Sequence, residues 1–161
     1  MTRPVEFFLA AIEASEPASA LRTARWGYAA VSTAHILGIA LLVGPIVALD
    51  LRLMGMARSV PIAPLVRMLR PVAIGGLLLA VCAGAALFSV QASHYAGLDL
   101  LRAKLALILL GIAGALALHR AGAAGLSGAT QTRLRVHGVL SICCWLGALI
   151  CGRLIAFVDA S

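Results

Sequence analysis

Charge is scarce in this sequence: 12% of its 161 residues are Asp, Glu, Lys or Arg, against about 25% in soluble domains. With 62% of residues hydrophobic, a water-soluble fold is excluded, because small domains leave a large share of their surface in solvent. Alternating segments of roughly ten residues, the mark of a transmembrane barrel, are also missing. No Cys-x-x-Cys and no Cys-x-x-Cys-His occurs, which disfavours thioredoxin-like chemistry and covalent c-type haem. P-loop, hydrolase and metalloprotease motifs are absent. No basic run carries interleaved aromatics, so nucleic acid is not expected as a partner despite a net charge of +7.

What the chain has is length of apolar run. Its mean hydropathy is +1.04, and the unbroken runs are about twenty residues long, enough to cross a ~30 Å hydrocarbon core as helix. A helix also pairs its own backbone groups, which lipid cannot do. The expected fold is all-α: an integral membrane up-down four-helix bundle with a short N-terminal amphipathic helix, partnered by the lipid bilayer. The expected spans are 26–49, 71–90, 101–118 and 136–158, forming one domain over 18–161.

Residues 1–17 lack a clean signal-peptide core, because Glu6, Glu13 and Glu16 interrupt them. Val5, Phe8, Leu9 and Ile12 share a helical face, which suits a surface helix ended by Pro17. Trp26 and Tyr28 fit an interfacial aromatic belt, and Pro45 predicts a kink in the first span. Gly76, Ala80 and Gly84 form a small-residue seam on the second span. Such a seam permits close helix approach, or makes room for a flat macrocycle. The seam and the short loops also suit a homo-oligomer or a larger membrane complex.

Orientation follows from arginine. The loops 50–70 and 119–135 carry Arg52, Arg58, Arg67, Arg70, Arg120, Arg133 and Arg135 against one acid, Asp50. The opposite side carries Arg3, Arg22, Arg25, Arg102, Lys104 and Arg153 against the five other acids. The arginine-rich loops are therefore expected in the cytoplasm of a bacterial inner membrane, with both termini periplasmic.

Ionisable groups inside membrane helices are costly, so each is a functional candidate. His35 lies nine residues past Trp26, on the order of 13 Å deep. His94, Tyr95, Lys104 and Arg153 fall on the same side, whereas His119 and His137 fall near the other surface. Four histidines in two layers are what a transmembrane haem b path requires, with imidazoles from different helices on the iron. Lys104, Arg153 and the loop arginines are suited to propionates. The same groups also suit a quinone, with Arg153 or Lys104 donating to a carbonyl oxygen. Against these readings, His119 and His137 also fit plain interfacial positions, and Ser32 or a backbone carbonyl would satisfy His35. Asp50 and Arg52 read most simply as a helix-end charge pair near Arg67 or Arg70, with a proton or ion entry point as the alternative. Cys82, Cys143, Cys144 and Cys151 read as small apolar residues. Met54, Met56 and Met68 lie on the loop away from His35, which argues against a copper site.

The stretch Ala34-His35-Ile36-Leu37-Gly38-Ile39-Ala40-Leu41-Leu42-Val43-Gly44, closing with Asp50-Leu51-Arg52-Leu53-Met54-Gly55, resembles an uncharacterised bacterial family of four-helix membrane proteins. Lys104, His119-Arg120, Trp145-Leu146-Gly147 and Gly152-Arg153-Leu154-Ile155-Ala156-Phe157 fit the same pattern, so the likeness runs from about Trp26 onward. The architecture is similar to copper-resistance-D-like and bacterial cytochrome b561-like bundles. The resemblance implies a four-helix fold and draws attention to His35, Asp50, Arg52, Lys104, His119 and Arg153. His94 and His137 stand outside the family pattern. The leading expectation is a b-type haem or quinone-interacting electron-transfer protein. A non-catalytic membrane subunit or scaffold, or a small ion or metal transporter, is the alternative.

Overall fold

The structure is a computed structural model that describes residues 3–128 and 130–158, with the side chains of residues 3, 119 and 121–128 outside the description. The described residues form helices and short connections, with no strand among them. In chain order the helices are α1 (Arg3–Glu13), α2 (Glu16–Thr23), α3 (Arg25–Leu53), α4 (Ile62–Val90), α5 (Ala92–Gly97), α6 (Asp99–Gly128) and α7 (Gln131–Val158). Four of them, α3, α4, α6 and α7, are long and apolar enough to cross a membrane. No more than 22% of the apolar window of any span is buried.

Several boundaries differ from expectation, each for a local reason. Pro17 does not end the first helix. The break falls at Ala14–Ser15, and Pro17 sits in the first turn of α2, where its missing N–H has no acceptor to lose. Residues 62–70, expected as linker, belong to α4, which runs on through Pro71. Pro64 occupies the first turn, and Pro71 costs the ladder one bond to the Arg67 carbonyl. Pro45 likewise lies inside α3. The third span ends at Leu118 as expected, and its helix continues as far as Gly128.

Two compact units divide the chain, Met1–Leu42 with Val72–Leu98, and Val43–Pro71 with Asp99–Ser161. In the first unit α1 packs on α5. Glu13 Oε1 accepts from the Ser93 amide at 2.7 Å, and Arg22 donates to the carbonyls of Glu13 and Val90. Leu9, Ala18 and Ala92 are buried, whereas Val5, Phe7 and Phe8 are exposed. The N-terminal segment is thus docked on α5, with the rings of Phe7 and Phe8 turned outward.

The same unit pairs α3 with α4 by close backbone approach. A β-carbon at Gly38 would lie 2.5 Å from the Ala80 amide nitrogen, and one at Gly76 would lie 2.5 Å from that of Leu42. Rising numbers on α3 meet falling numbers on α4, so the two segments are antiparallel. The expected seam is real at Gly76 and Ala80, both buried, and its third residue, Gly84, receives the His35 ring.

In the second unit α6 packs along α7. Gly111 accepts the Trp145 indole, Gly147 meets Leu107, and Gly152 meets the Lys104 ammonium, an antiparallel register throughout. The end of α3 joins the first half of α7 in the same unit. Gln131 Nε2 donates to the Leu53 carbonyl at 2.9 Å and Arg135 Nε to that of Met54 at 3.2 Å. Side chains of α7 therefore satisfy carbonyls that the end of α3 leaves without helical partners.

Candidate functional site

His35 projects from the middle of α3 onto α4. Its Nδ1 lies 2.8 Å from the Ala80 carbonyl oxygen, and a carbonyl only accepts, so Nδ1 carries the proton. The ring rests on Gly84, where a β-carbon would come within 2.8 Å of Cε1. Of the partners open to His35, the backbone carbonyl is thus taken. A hydrogen bond of this kind between membrane helices contributes about 0.6–2 kcal/mol. It also fixes the tautomer whose lone pair is on Nε2.

His94 belongs to α5, not to a span, and is exposed, with its ring edge against Tyr95 at 5.5 Å. From Gly84 to the end of α4 at Val90 the helix rises about 9 Å. His94 follows that end in the chain, on α5 and not on the helix that receives the His35 ring.

The second unit holds the remaining candidates. Lys104 is partly buried, its Nζ 3.1 Å from where a Gly152 β-carbon would be and within electrostatic reach of Cys151. Arg153, next along α7, is exposed. Lys104 and Arg153 thus lie near each other in the chain of contacts, the first turned into the α6–α7 pair and the second away from it. His137 is partly buried, with Cε1 3.5 Å from a β-carbon at Gly114. His119 falls in α6 and its side chain lies outside the described residues. The cysteines are free thiols. Among the described residues no group of three or more His, Cys, Asp or Glu is arranged to hold a metal ion.

The most deeply placed ionisable group is one that sequence reading assigned to a helix-end charge pair. Asp50 is 4% exposed, and its carboxylate takes a hydrogen bond from Ser141 on α7. Among the described residues its Oδ2 has no hydrogen-bond partner. Arg52 instead donates through Nε to the Val60 carbonyl at 2.7 Å and through Nη2 to that of Arg58, bracing the 54–61 turn. Gly55 takes a φ of 101° in that turn, a conformation open to residues without a β-carbon.

Trp145 stands one turn beyond Ser141 on α7. It is 3% exposed, and its Nε1 is the other buried polar atom without a partner among the described residues. Gly138, Ser141, Trp145, Ala148 and Gly152 recur at three- and four-residue intervals, which puts them on one stripe of α7. That spacing was available in the sequence. Serine and tryptophan in an apolar span carry no signal of their own until a carboxylate is known to face them.

No protein-family model matches the chain, and no curated protein or solved structure is significantly similar to it.

Proposed function

We propose that the protein is a small ion-translocating membrane protein whose intramembrane binding group is Asp50. One observation carries this reading: a carboxylate 4% exposed, on an apolar helix, with one oxygen left without a partner among the described residues. A buried, uncompensated charge costs several kcal/mol, and Ser141 supplies a hydroxyl where a guanidinium or ammonium would be needed to neutralise it. Placing a carboxylate there is wasteful for packing alone. It is economical for a group that exchanges a cation.

The same reading orders the whole chain as an up-down four-helix bundle in a bacterial inner membrane, both termini periplasmic. The antiparallel α3–α4 and α6–α7 pairs support the first part, and the arginine excess on the 50–70 and 119–135 segments supports the second. Asp50 then lies toward the cytoplasmic surface, behind Gln131 and Arg135. Reconstituted into liposomes, the protein is expected to pass a small cation, and Asp50→Asn to reduce the flux to that of protein-free vesicles. Background flux from the wild type for every ion tried would end the reading.

A second reading, membrane electron transfer through haem b, is favoured by the tautomer of His35. Donation from Nδ1 to Ala80 is the hydrogen bond that orients ligating imidazoles, and Gly84 keeps bulk away from the ring. His35 thus fits as one axial ligand, with Lys104 and Arg153 as anionic-group partners for propionates or for a quinone. Haem would supply one-electron chemistry. Here His35→Ala is expected to remove the reduced low-spin absorption bands of the detergent-purified protein. An identical spectrum from the variant, or a colourless wild type made with ample haem, tells against it.

A further inference from the structure

Where α3 ends and α4 begins, the structure holds a half-open cavity of about 280 Å³. Ala48 and Leu51 from the last turns of α3, Met56 and Val60 from the connecting turn and Leu65 from the start of α4 give it apolar walls. Ala57 and Arg52 complete the lining, and every one of these residues belongs to the same compact unit.

Arg52 is placed by its own bonds. Its Nε donates to the carbonyl of Val60, a wall residue, at 2.7 Å, and its Nη2 to that of Arg58. The methylene stem thus lies along the cavity while the guanidinium is held at its Val60 edge. Among the described residues no bond occupies Nη1, which leaves two N–H groups on a fixed cation. Arg58 Nε closes the turn onto the Gly55 carbonyl at 3.1 Å. Ala57 takes a φ of 48°, a left-handed conformation that costs an alanine free energy and persists only where its surroundings impose it. The turn that walls the cavity is held in shape by two arginines.

An occupant needs an apolar part for the walls and an anionic part for Arg52. Water gains little in such a space, because the walls offer it no partners. The surrounding charge has one sign: residues 51–71 contain four arginines and no acid, and the adjoining Asp50 is buried and bonded to Ser141. Ala48 precedes the end of α3 at Leu53 by five residues, so the cavity reaches about 7 Å inward from the ends of two candidate spans.

We infer that this cavity binds an anionic phospholipid, one acyl chain against Leu51, Met56, Val60 and Leu65 and the phosphate on Arg52. Its volume lies at the lower end of ligand pockets, ~300–1,000 Å³, which suits a stretch of one chain rather than a whole lipid. A guanidinium pairs phosphate oxygens through two N–H groups at once, and basic pockets between membrane helices are recurrent sites for anionic headgroups. A zwitterionic headgroup would bring its own ammonium into the arginine cluster. A soluble anion would leave the walls uncovered. The site is separate from Asp50 and holds whatever that carboxylate exchanges.

The test uses the full chain in phosphatidylcholine nanodiscs containing a small share of phosphatidylglycerol whose acyl chain carries a photoreactive diazirine. Illumination is expected to place adducts on residues 48–65, whereas phosphatidylcholine with the same chain labels the spans diffusely. Ala48→Phe fills the cavity, leaves every arginine in place and should remove those adducts. Arg52→Gln should weaken phosphatidylglycerol labelling about tenfold, as loss of a charged hydrogen bond implies. Arg52 also braces the turn, so melting temperatures in phosphatidylcholine alone check each variant; if Arg52→Gln does not fold, the wild-type comparison and Ala48→Phe decide. Glycerol phosphate, a headgroup without chains, should not compete; competition by it assigns the site to a soluble phosphate and overturns the lipid. Equal labelling of 48–65 by both lipids overturns the anionic headgroup. Phosphatidylglycerol adducts spread over the spans, or unchanged in Ala48→Phe, overturn the cavity as the site.

Discussion

Gly38→Ala and Gly76→Ala are each expected to lower the melting temperature of the detergent-solubilised protein by about 10 °C, since overpacking costs up to ~3 kcal/mol and each kcal/mol is worth ~2–4 °C at this size. The cause is contact with backbone. A β-carbon at Gly38 would stand 2.5 Å from the Ala80 nitrogen, and one at Gly76 2.5 Å from the Leu42 nitrogen and 2.6 Å from the Leu41 carbonyl carbon. A flexible side chain would swing aside, but here two helices must separate. Lipid tails match the apolarity of helix surfaces, so close packing is a main source of helix association and its loss is not offset. Gly75 provides the control, with nothing within 4 Å of its β-carbon position. Gly75→Ala should melt at or slightly above the wild-type temperature, because alanine gains up to ~1 kcal/mol over glycine in a helix. A Gly38→Ala protein as stable as Gly75→Ala would mean that α3 and α4 are not in backbone contact.

Trp145→Ala is expected to cost ~3 kcal/mol or more, at the lower end of what large-to-small changes cost in well-packed interiors. The indole is 3% exposed and lies against Gly111, whose β-carbon position is 2.9 Å from Cε2 and 3.0 Å from Nε1. Gly111→Ala should therefore also destabilise, by pressing on a ring with no room to retreat. The two changes share one space, so their effects should not add. Gly111→Ala made in a Trp145→Ala background should cost at least ~1 kcal/mol less than in the wild type, a double-mutant coupling typical of touching residues. Thermal melts of the four proteins in one detergent measure it. Simple additivity would show that α6 and α7 do not meet through this pair.

The membrane character of the chain was written in its composition, because four apolar runs of helix length leave no other solution. The seam at Gly76 and Ala80 was legible for the same reason: small residues four apart point to one side of a helix whatever surrounds it. Helix ends were less so. Pro17 and Pro71 each permit two outcomes, a stop or a place within a helix, and the choice depends on what the neighbouring turn packs against. His35 could be flagged as a residue in need of a partner, but not that the partner is the Ala80 carbonyl, some 45 positions away. The surroundings of Asp50 are hidden in the sequence for a related reason. A carboxylate two residues from an arginine at the end of an apolar run suggests a surface pair. Only the register of α7 against α3 turns Asp50 toward Ser141 and sends Arg52 to the carbonyls of the 54–61 turn.

Three side-chain contacts at the end of α3 come from the last helix: Ser141 to Asp50, Gln131 to Leu53 and Arg135 to Met54. These residues leave the ribosome roughly eighty positions after the groups they serve. At ~5–20 residues per second, Asp50 spends several seconds in the membrane before its hydroxyl partner is made. A chain stopped after α6 would carry a carboxylate without its hydroxyl partner and two carbonyls, of Leu53 and Met54, without their side-chain donors. Both are features by which membrane quality control can tell an unfinished protein from a finished one. Arrival of α7 is thus the event that ends the chain's exposure, and truncations before residue 131 should be degraded in cells even though three apolar spans remain to anchor them.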